Sequence, residues 1–136
     1  MAPVRKFGHS WWGKAWLKSL ETSQFAQEGR LSRGRTYARQ DRVQSVSVEP
    51  GGVHAKGWGT ETYSTILSVR QLQDAQWDSL IDLIVSKARY SAELLSGAMP
   101  EGLAADAEEA GTPLLPIVGD LTPNCSCPDW GDPCKH

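Results

Sequence analysis

The last twelve residues constrain this chain more than any other stretch: Cys125-Ser126-Cys127-Pro128-Asp129-Trp130-Gly131-Asp132-Pro133-Cys134-Lys135-His136. All three cysteines of the protein lie there, and one of its three histidines closes the run. Three thiols and an imidazole make a complete tetrahedral ligand set, and Cys3His is a standard composition for structural zinc. The spacing is Cys-x-Cys, a six-residue spacer, then Cys-x-His. In extended chain, residues i and i+2 point to the same side. Cys125 and Cys127 can therefore offer both sulfurs to one ion, and Cys134 and His136 supply the second pair. The two prolines and Gly131 between the pairs suit a chain reversal.

Other fates of three cysteines are weaker. An odd count fits a disulfide framework poorly, and a Cys-x-Cys disulfide closes a small, strained ring. A catalytic Cys/His pair is not built by crowding three thiols around one imidazole. Cys125, Cys127, Cys134 and His136 are thus the expected zinc ligands. Four protein ligands close the coordination sphere, so the expected role is structural rather than catalytic.

The same residues resemble a SWIM-type zinc finger, whose pattern is Cys-x-Cys, a variable spacer and Cys-x-His. Further pieces resemble bacterial SWIM-containing proteins: Phe7-Gly-His-Ser-Trp-Trp12-Gly, the Arg-rich stretch from Arg30 to Arg42, Leu94-Leu-Ser-Gly-Ala-Met-Pro100 and Leu114-Leu-Pro116. The resemblance covers most of the chain. It implies a DNA- or protein-interaction role, often near helicase-like ATPases. In that family the chain runs past the histidine into a helix, so continuation of the natural protein beyond His136 is expected.

At 136 residues the expected organisation is an α+β body over residues 1–118, with a small antiparallel β meander packed with helices, and the zinc finger over 119–136. No run approaches the roughly 20 apolar residues of a membrane span. The opening Met1–Lys6 lacks the apolar core of a signal peptide. With reduced thiols, the expected compartment is the cytoplasm. The formal charge of −2 conceals a split. Residues 1–42 carry nine Lys and Arg against three Asp and Glu, a net of +6, and the rest carries five against thirteen, a net of −8. A basic region of this kind suits an anionic partner.

Ser10 is placed to cap a helix in which Trp12, Trp16 and Leu20 recur at i, i+4 and i+8. At that spacing the tryptophans read as core rather than as stacking platforms for bases, with the helix ending before Gly29. Arg30, Arg33, Arg35, Tyr37, Arg39 and Arg42 follow. With Gly29 and Gly34 among them, they read as a loop or irregular strand. Two readings of it stay open: phosphate contact by the arginines with Tyr37 stacking on a base, or a solvated loop paired with the acidic half.

Alternation predicts strands over Val43–Glu49, Val53–Trp58 and Tyr63–Val69, joined by the Pro50-Gly-Gly turn and a second turn at Gly59. Leu72 to Tyr90 reads as the strongest helix, with Trp77, Leu80, Ile81, Ile84 and Val85 as its apolar stripe and Asp74, Asp78 and Asp82 on a solvated side. Ser91–Ser96 reads as a second helix and 102–110 as a short exposed one. Leu114, Leu115, Ile117 and Val118 are candidates to dock the finger on the body. His9 and His54, remote from the cysteines, read as surface residues.

No phosphate-binding loop, nucleophile elbow or helical His-Glu pair appears, so neither an enzyme nor a small-molecule substrate is expected. The expected function is a zinc-binding, non-catalytic interaction module for nucleic acid and/or a helicase-like protein partner. The alternative is a protein–protein adaptor that makes no direct nucleic-acid contact.

Overall fold

The structure is a computed structural model and describes residues 6–22, 29–116, 119–128 and 134–136. It is α+β, with five helices and one antiparallel sheet among the described residues. The chain divides into two compact units: a sheet unit made of Met1–Arg70 with Ile117–His136, and a helical unit, Gln71–Pro116. This division falls elsewhere than the 118/119 boundary expected from the sequence, because segment 119–136 shares a unit with the sheet.

In the sheet unit, helix α1 (Trp11–Glu21) starts where the Ser10 hydroxyl accepts from Gly13 N at 3.0 Å, the expected cap. Trp16 and Leu20 are half-buried, but Trp12 is 48% exposed, so the expected core stripe is only partly inside. The Arg-rich stretch is not a loop or strand. It forms helix α2 (Arg30–Arg39), entered through Gly29 at φ 65° and left through Asp41 at φ 57°. Arginine is a good helix former and one glycine costs a helix only about 1 kcal/mol, so neither residue type argues strongly for a loop.

Strands β1 (Val43–Glu49), β2 (Gly52–Trp58) and β3 (Thr62–Val69) form the expected meander. A fourth strand, β4 (Leu121–Cys125), completes the order β1-β2-β3-β4. It pairs with β3 in a register running from Val69↔Leu121 to Thr65↔Cys125. Sequence reasoning missed this strand: LTPNC alternates, but it is only five residues long and carries Pro123, which is tolerable because β4 is an edge. Among the described residues, Tyr37, Tyr63 and Leu121 are the buried hydrophobic side chains of the sheet unit, at 5%, 6% and 4% exposure.

The helical unit holds α3 (Asp74–Ser86), α4 (Ala88–Leu95) and α5 (Leu103–Glu109). Its core is Leu80, Tyr90, Leu103 and Ala107, with Leu72, Leu83, Ile84, Leu94 and Leu114 packed around it. The short helix expected to be exposed therefore contributes two of the most buried side chains. Trp77, Ile81 and Val85, expected in the core, lie instead on the outer side of α3 at 50, 51 and 69% exposure. Leu114 serves this core rather than a finger. Ile117 and Val118 lie outside the described residues. Tyr90 Oη donates to Asp106 Oδ2 at 2.6 Å, and Lys87 Nζ meets the same oxygen at 2.5 Å. No helix among the described residues is long and apolar enough to cross a membrane.

Candidate metal centre

The centre begins in the sheet. Cys125 is the last residue of β4 and lies opposite Thr65 of β3. Thr65 Oγ1 donates to Cys125 Sγ at 3.4 Å. Beyond the strand, Ser126 N donates to Ser64 O at 3.0 Å and Ser64 N donates to Ser126 Oγ at 2.9 Å. This exchange extends the ladder by one residue and fixes Ser126 between the two cysteines, so Cys125 and Cys127 leave the sheet in a defined orientation. The expected reversal between the ligand pairs falls on 129–133, outside the described residues.

The second ligand pair returns to the first. His136 Nδ1 lies 3.9 Å from Cys125 Sγ and 3.6 Å from Cys134 Sγ. The ligand atoms of Cys125, Cys127, Cys134 and His136 all lie within 4.8 Å of one another. Around a tetrahedral ion with bonds of ~2.3 Å to sulfur and ~2.0 Å to nitrogen, donor atoms stand about 3.5–3.8 Å apart. The observed separations fit, with slight contraction on binding. This is the one group of ligand-type side chains gathered for a metal among the described residues. Asp74, Asp78 and Asp82 stand exposed on α3, and His9 and His54 are not part of the group. Cys127 and His136 also line a cleft open to solvent, which gives an ion a way in.

The imidazole is held by aromatic rings. Tyr63 of β3 lies against His136 with ring centroids 4.7 Å apart and planes at 37°, and Tyr37 of α2 meets it edge-on at 5.1 Å and 79°. Glycine makes the space. A Cβ at Gly57 would come within 2.4 Å of Tyr37 Oη, and one at Gly59 within 2.8 Å of Tyr63 Cε2. Gly34 of α2 faces the Lys135 carbonyl, which a Cβ would approach to 3.3 Å. Helix α2, the sheet and the last residues of the chain thus converge on one ring. Tyr63 and these glycines were not singled out as site residues from the sequence, and Tyr37 was singled out only as a ring to stack on a base. A signal was available: Gly57 and Gly59 interrupt a β-rich run opposite an aromatic, the pattern of a strand that something approaches closely.

Protonation follows burial. Burial raises the Cys125 thiol, but hydrogen bonds from Thr65 and Cys127 outweigh it and leave the group below its ordinary value. Burial pushes Cys134 up to about 12, opposed by a backbone hydrogen bond at His136 and reinforced by the neighbouring thiols. A metal reverses this by binding the thiolate, and binding therefore releases protons. Burial likewise raises Tyr37, Arg42 opposes, and Cys125, Cys134 and Tyr63 raise it further.

The residues expected to touch nucleic acid differ in their surroundings. Tyr37 is 5% exposed and occupied by His136, so its ring is closed to a base. Arg35 pairs with Glu21, and Arg39 lies over the Phe7 ring at 5.3 Å. Arg42 is half-buried where α2 leads into β1, and its carbonyl accepts from Trp58 N at 2.7 Å. Arg33 is exposed and Arg30 half-buried.

No protein-family model matches the chain. No solved structure matches it. Among curated proteins it is similar to uncharacterized protein Rv2102 of Mycobacterium tuberculosis (strain ATCC 25618 / H37Rv), at 35% identity over 130 residues. The match covers 93% of this chain and 46% of that protein, so the chain spans about half the length of the curated relative it matches. The centre itself can hold a metal ion.

Proposed function

We propose that this chain is a zinc-stabilised, non-catalytic interaction module of the SWIM kind. The observation that carries the reading is the convergence of three thiols and one imidazole within 4.8 Å. Soft sulfur donors with one imidazole select zinc over magnesium or calcium, which prefer oxygen. Four protein donors fill a tetrahedral sphere and leave no position for water or substrate, which supports a structural ion. The residues give zinc a defined task. It ties the end of the chain to β4 and presses the His136 ring between Tyr63 and Tyr37, so α2 and the sheet are fastened together.

For what the module binds, the geometry favours a protein partner. Trp77, Ile81 and Val85 recur at helical spacing on the outer side of α3, and exposed apolar stripes of this kind commonly mark contact surfaces. A helicase-like ATPase or other protein fits this reading. Direct nucleic-acid contact is the second reading, and it draws on Arg30 and Arg33 of α2 and on the positive charge of residues 1–42.

A pull-down with the intact chain, one arm treated with nuclease, separates the two. The first reading expects a stoichiometric partner that survives nuclease and is lost with Ile81→Lys. Loss of every partner on nuclease treatment, with salt-sensitive DNA binding by the isolated chain, would shift the assignment to nucleic acid.

A further inference from the structure

Strand β1 is an open edge of the sheet: among the described residues its one strand neighbour is β2. The opposite edge, β4, carries Pro123, a residue type that blunts strand pairing. β1, Val43-Gln-Ser-Val-Ser-Val-Glu49, has no proline, lysine or arginine. Its register shift lies between Val43 and Ser45 and leaves 45–49 regular. The hairpin sets the direction of its backbone groups. Val69 N donates to Gly51 O at 2.9 Å, so Gly51 faces β3 and Gly52, one residue on, faces β1. Gly52 stands opposite Glu49. Residues of an antiparallel strand alternate between those that bond the neighbour and those whose N–H and C=O point away. Glu49, Ser47 and Ser45 therefore bond β2, and Val46 and Val48 turn their backbone groups to the open side. The side chains of the same two valines stand on one sheet face, opposite Ala55 and Val53, at 48% and 78% exposure.

We propose that β1 pairs antiparallel with β1 of a second copy of this chain, about a twofold axis at Ser47, joining two sheets into one. This register sets Val46 opposite Val48, and Ser45 opposite Glu49, of the second copy. Val46 and Val48 then exchange backbone hydrogen bonds across the axis. A shift of one residue would set them against residues already bonded to β2. The valines of both copies form one apolar row of cross-strand neighbours, so the open edge and the exposed valines are covered together. No like charges are opposed. Glu49, the one charged residue of β1, lies with Oε2 3.6 Å from His54 Nε2 of its own sheet. The strand therefore has little to offer a charged foreign segment and is complementary to itself. Self-complementary twofold contact is the usual way in which soluble chains pair. Zinc takes no part in this contact, which stands or falls apart from the metal reading.

The test is sedimentation equilibrium of the full chain, compared with Val48→Pro, Val48→Lys and Thr122→Lys, each checked for folding by circular dichroism. Val48→Pro removes a donor that faces the open edge and none that bonds β2. Val48→Lys places a charge beside the axis, and Thr122→Lys adds the same charge to the β4 edge. The expected result is a concentration-dependent dimer for the parent and for Thr122→Lys, and a monomer for both Val48 variants. In the parent, the Val46 and Val48 amides should exchange slowly with deuterium in the dimer and quickly on dilution to monomer. If Val48→Pro fails to fold, Val48→Lys, at a site 78% exposed, and the amide exchange of the parent decide the matter. A parent that stays monomeric at the highest concentration overturns the inference. So does a dimer that survives Val48→Lys, one weakened equally by Thr122→Lys, or one in which the two valine amides exchange as fast as in the monomer.

Discussion

Thr65 donates its hydroxyl to the Cys125 sulfur at 3.4 Å, across the β3–β4 pair in which the two residues stand opposite each other. A metal ligand is thereby set by the sheet's own register. Strand β4 begins at Leu121, 4% exposed, and ends at this cysteine. The centre therefore extends a folded sheet, whereas a free-standing finger would order itself around its ion alone.

Chelation should accordingly be felt beyond the last residues. Removing zinc, or replacing Cys134 with Ser, should lower the thermal midpoint of the sheet unit and leave the helical unit, with its own core of Leu80, Tyr90, Leu103 and Ala107, unchanged. Free zinc at a thousandfold its Kd corresponds to about 4.1 kcal/mol of linkage. Calorimetry with and without chelator checks this. Disordering confined to the residues after Leu121, with the sheet's transition unmoved, would return the finger to independence.

Gly57 is where the body feels the site most closely. Gly57→Ala places a methyl within 2.4 Å of Tyr37 Oη, and both atoms belong to packed elements. Overpacking of this kind costs about 1–3 kcal/mol, against a gain expected for alanine over glycine in an ordinary strand. Urea denaturation should show a destabilised protein and weaker metal binding together. A stabilised variant would mean that Tyr37 is not held against β2.

Much of this was legible in sequence, for identifiable reasons. The ligand spacing exposes the metal set because coordination needs specific atoms, and the meander is visible because alternation survives in Val43–Glu49 and Tyr63–Val69. Helix α2 was hidden because its arginines and glycines resemble a loop, while its one buried anchor, Tyr37, contacts a residue about a hundred positions away. A ring approached by distant chain leaves no local periodicity. The tryptophans mislead in the opposite direction. Trp77, Ile81 and Val85 have the spacing of a core stripe, but Leu80, Leu83 and Ile84 occupy the inner side of the same helix, and apolarity alone does not say which stripe is inside.

That distinction predicts unequal substitution costs along α3. Leu80→Ala, at a site 3% exposed, should cost about 2–5 kcal/mol. Ile81→Lys and Val85→Lys should each stay within about 0.5 kcal/mol. Denaturant midpoints decide it, and a large loss for Ile81→Lys would place that stripe in the core.

The helical unit should also weaken in acid. Hydrogen bonds from Lys87 and then Tyr90 hold the Asp106 carboxyl below its usual range. A folded-state value below the unfolded one adds stability at pH above the ordinary Asp value, and this is lost as pH falls through the depressed one. Lys87, raised chiefly by its hydrogen bond to Asp106, gives the mirror image: its share is present below the ordinary Lys value and is lost as pH rises through the raised one. Asp106→Asn should flatten both limbs in a pH series of unfolding midpoints. An unchanged acid limb would assign it to other carboxylates.

The most direct measurement is zinc K-edge absorption on the intact chain purified without chelator. The account predicts one zinc per chain, with three sulfurs at ~2.3 Å and one nitrogen at ~2.0 Å, the sulfur count falling to two in Cys127→Ala. Absence of stoichiometric zinc, or a shell of oxygen and nitrogen without the three sulfurs, would contradict it.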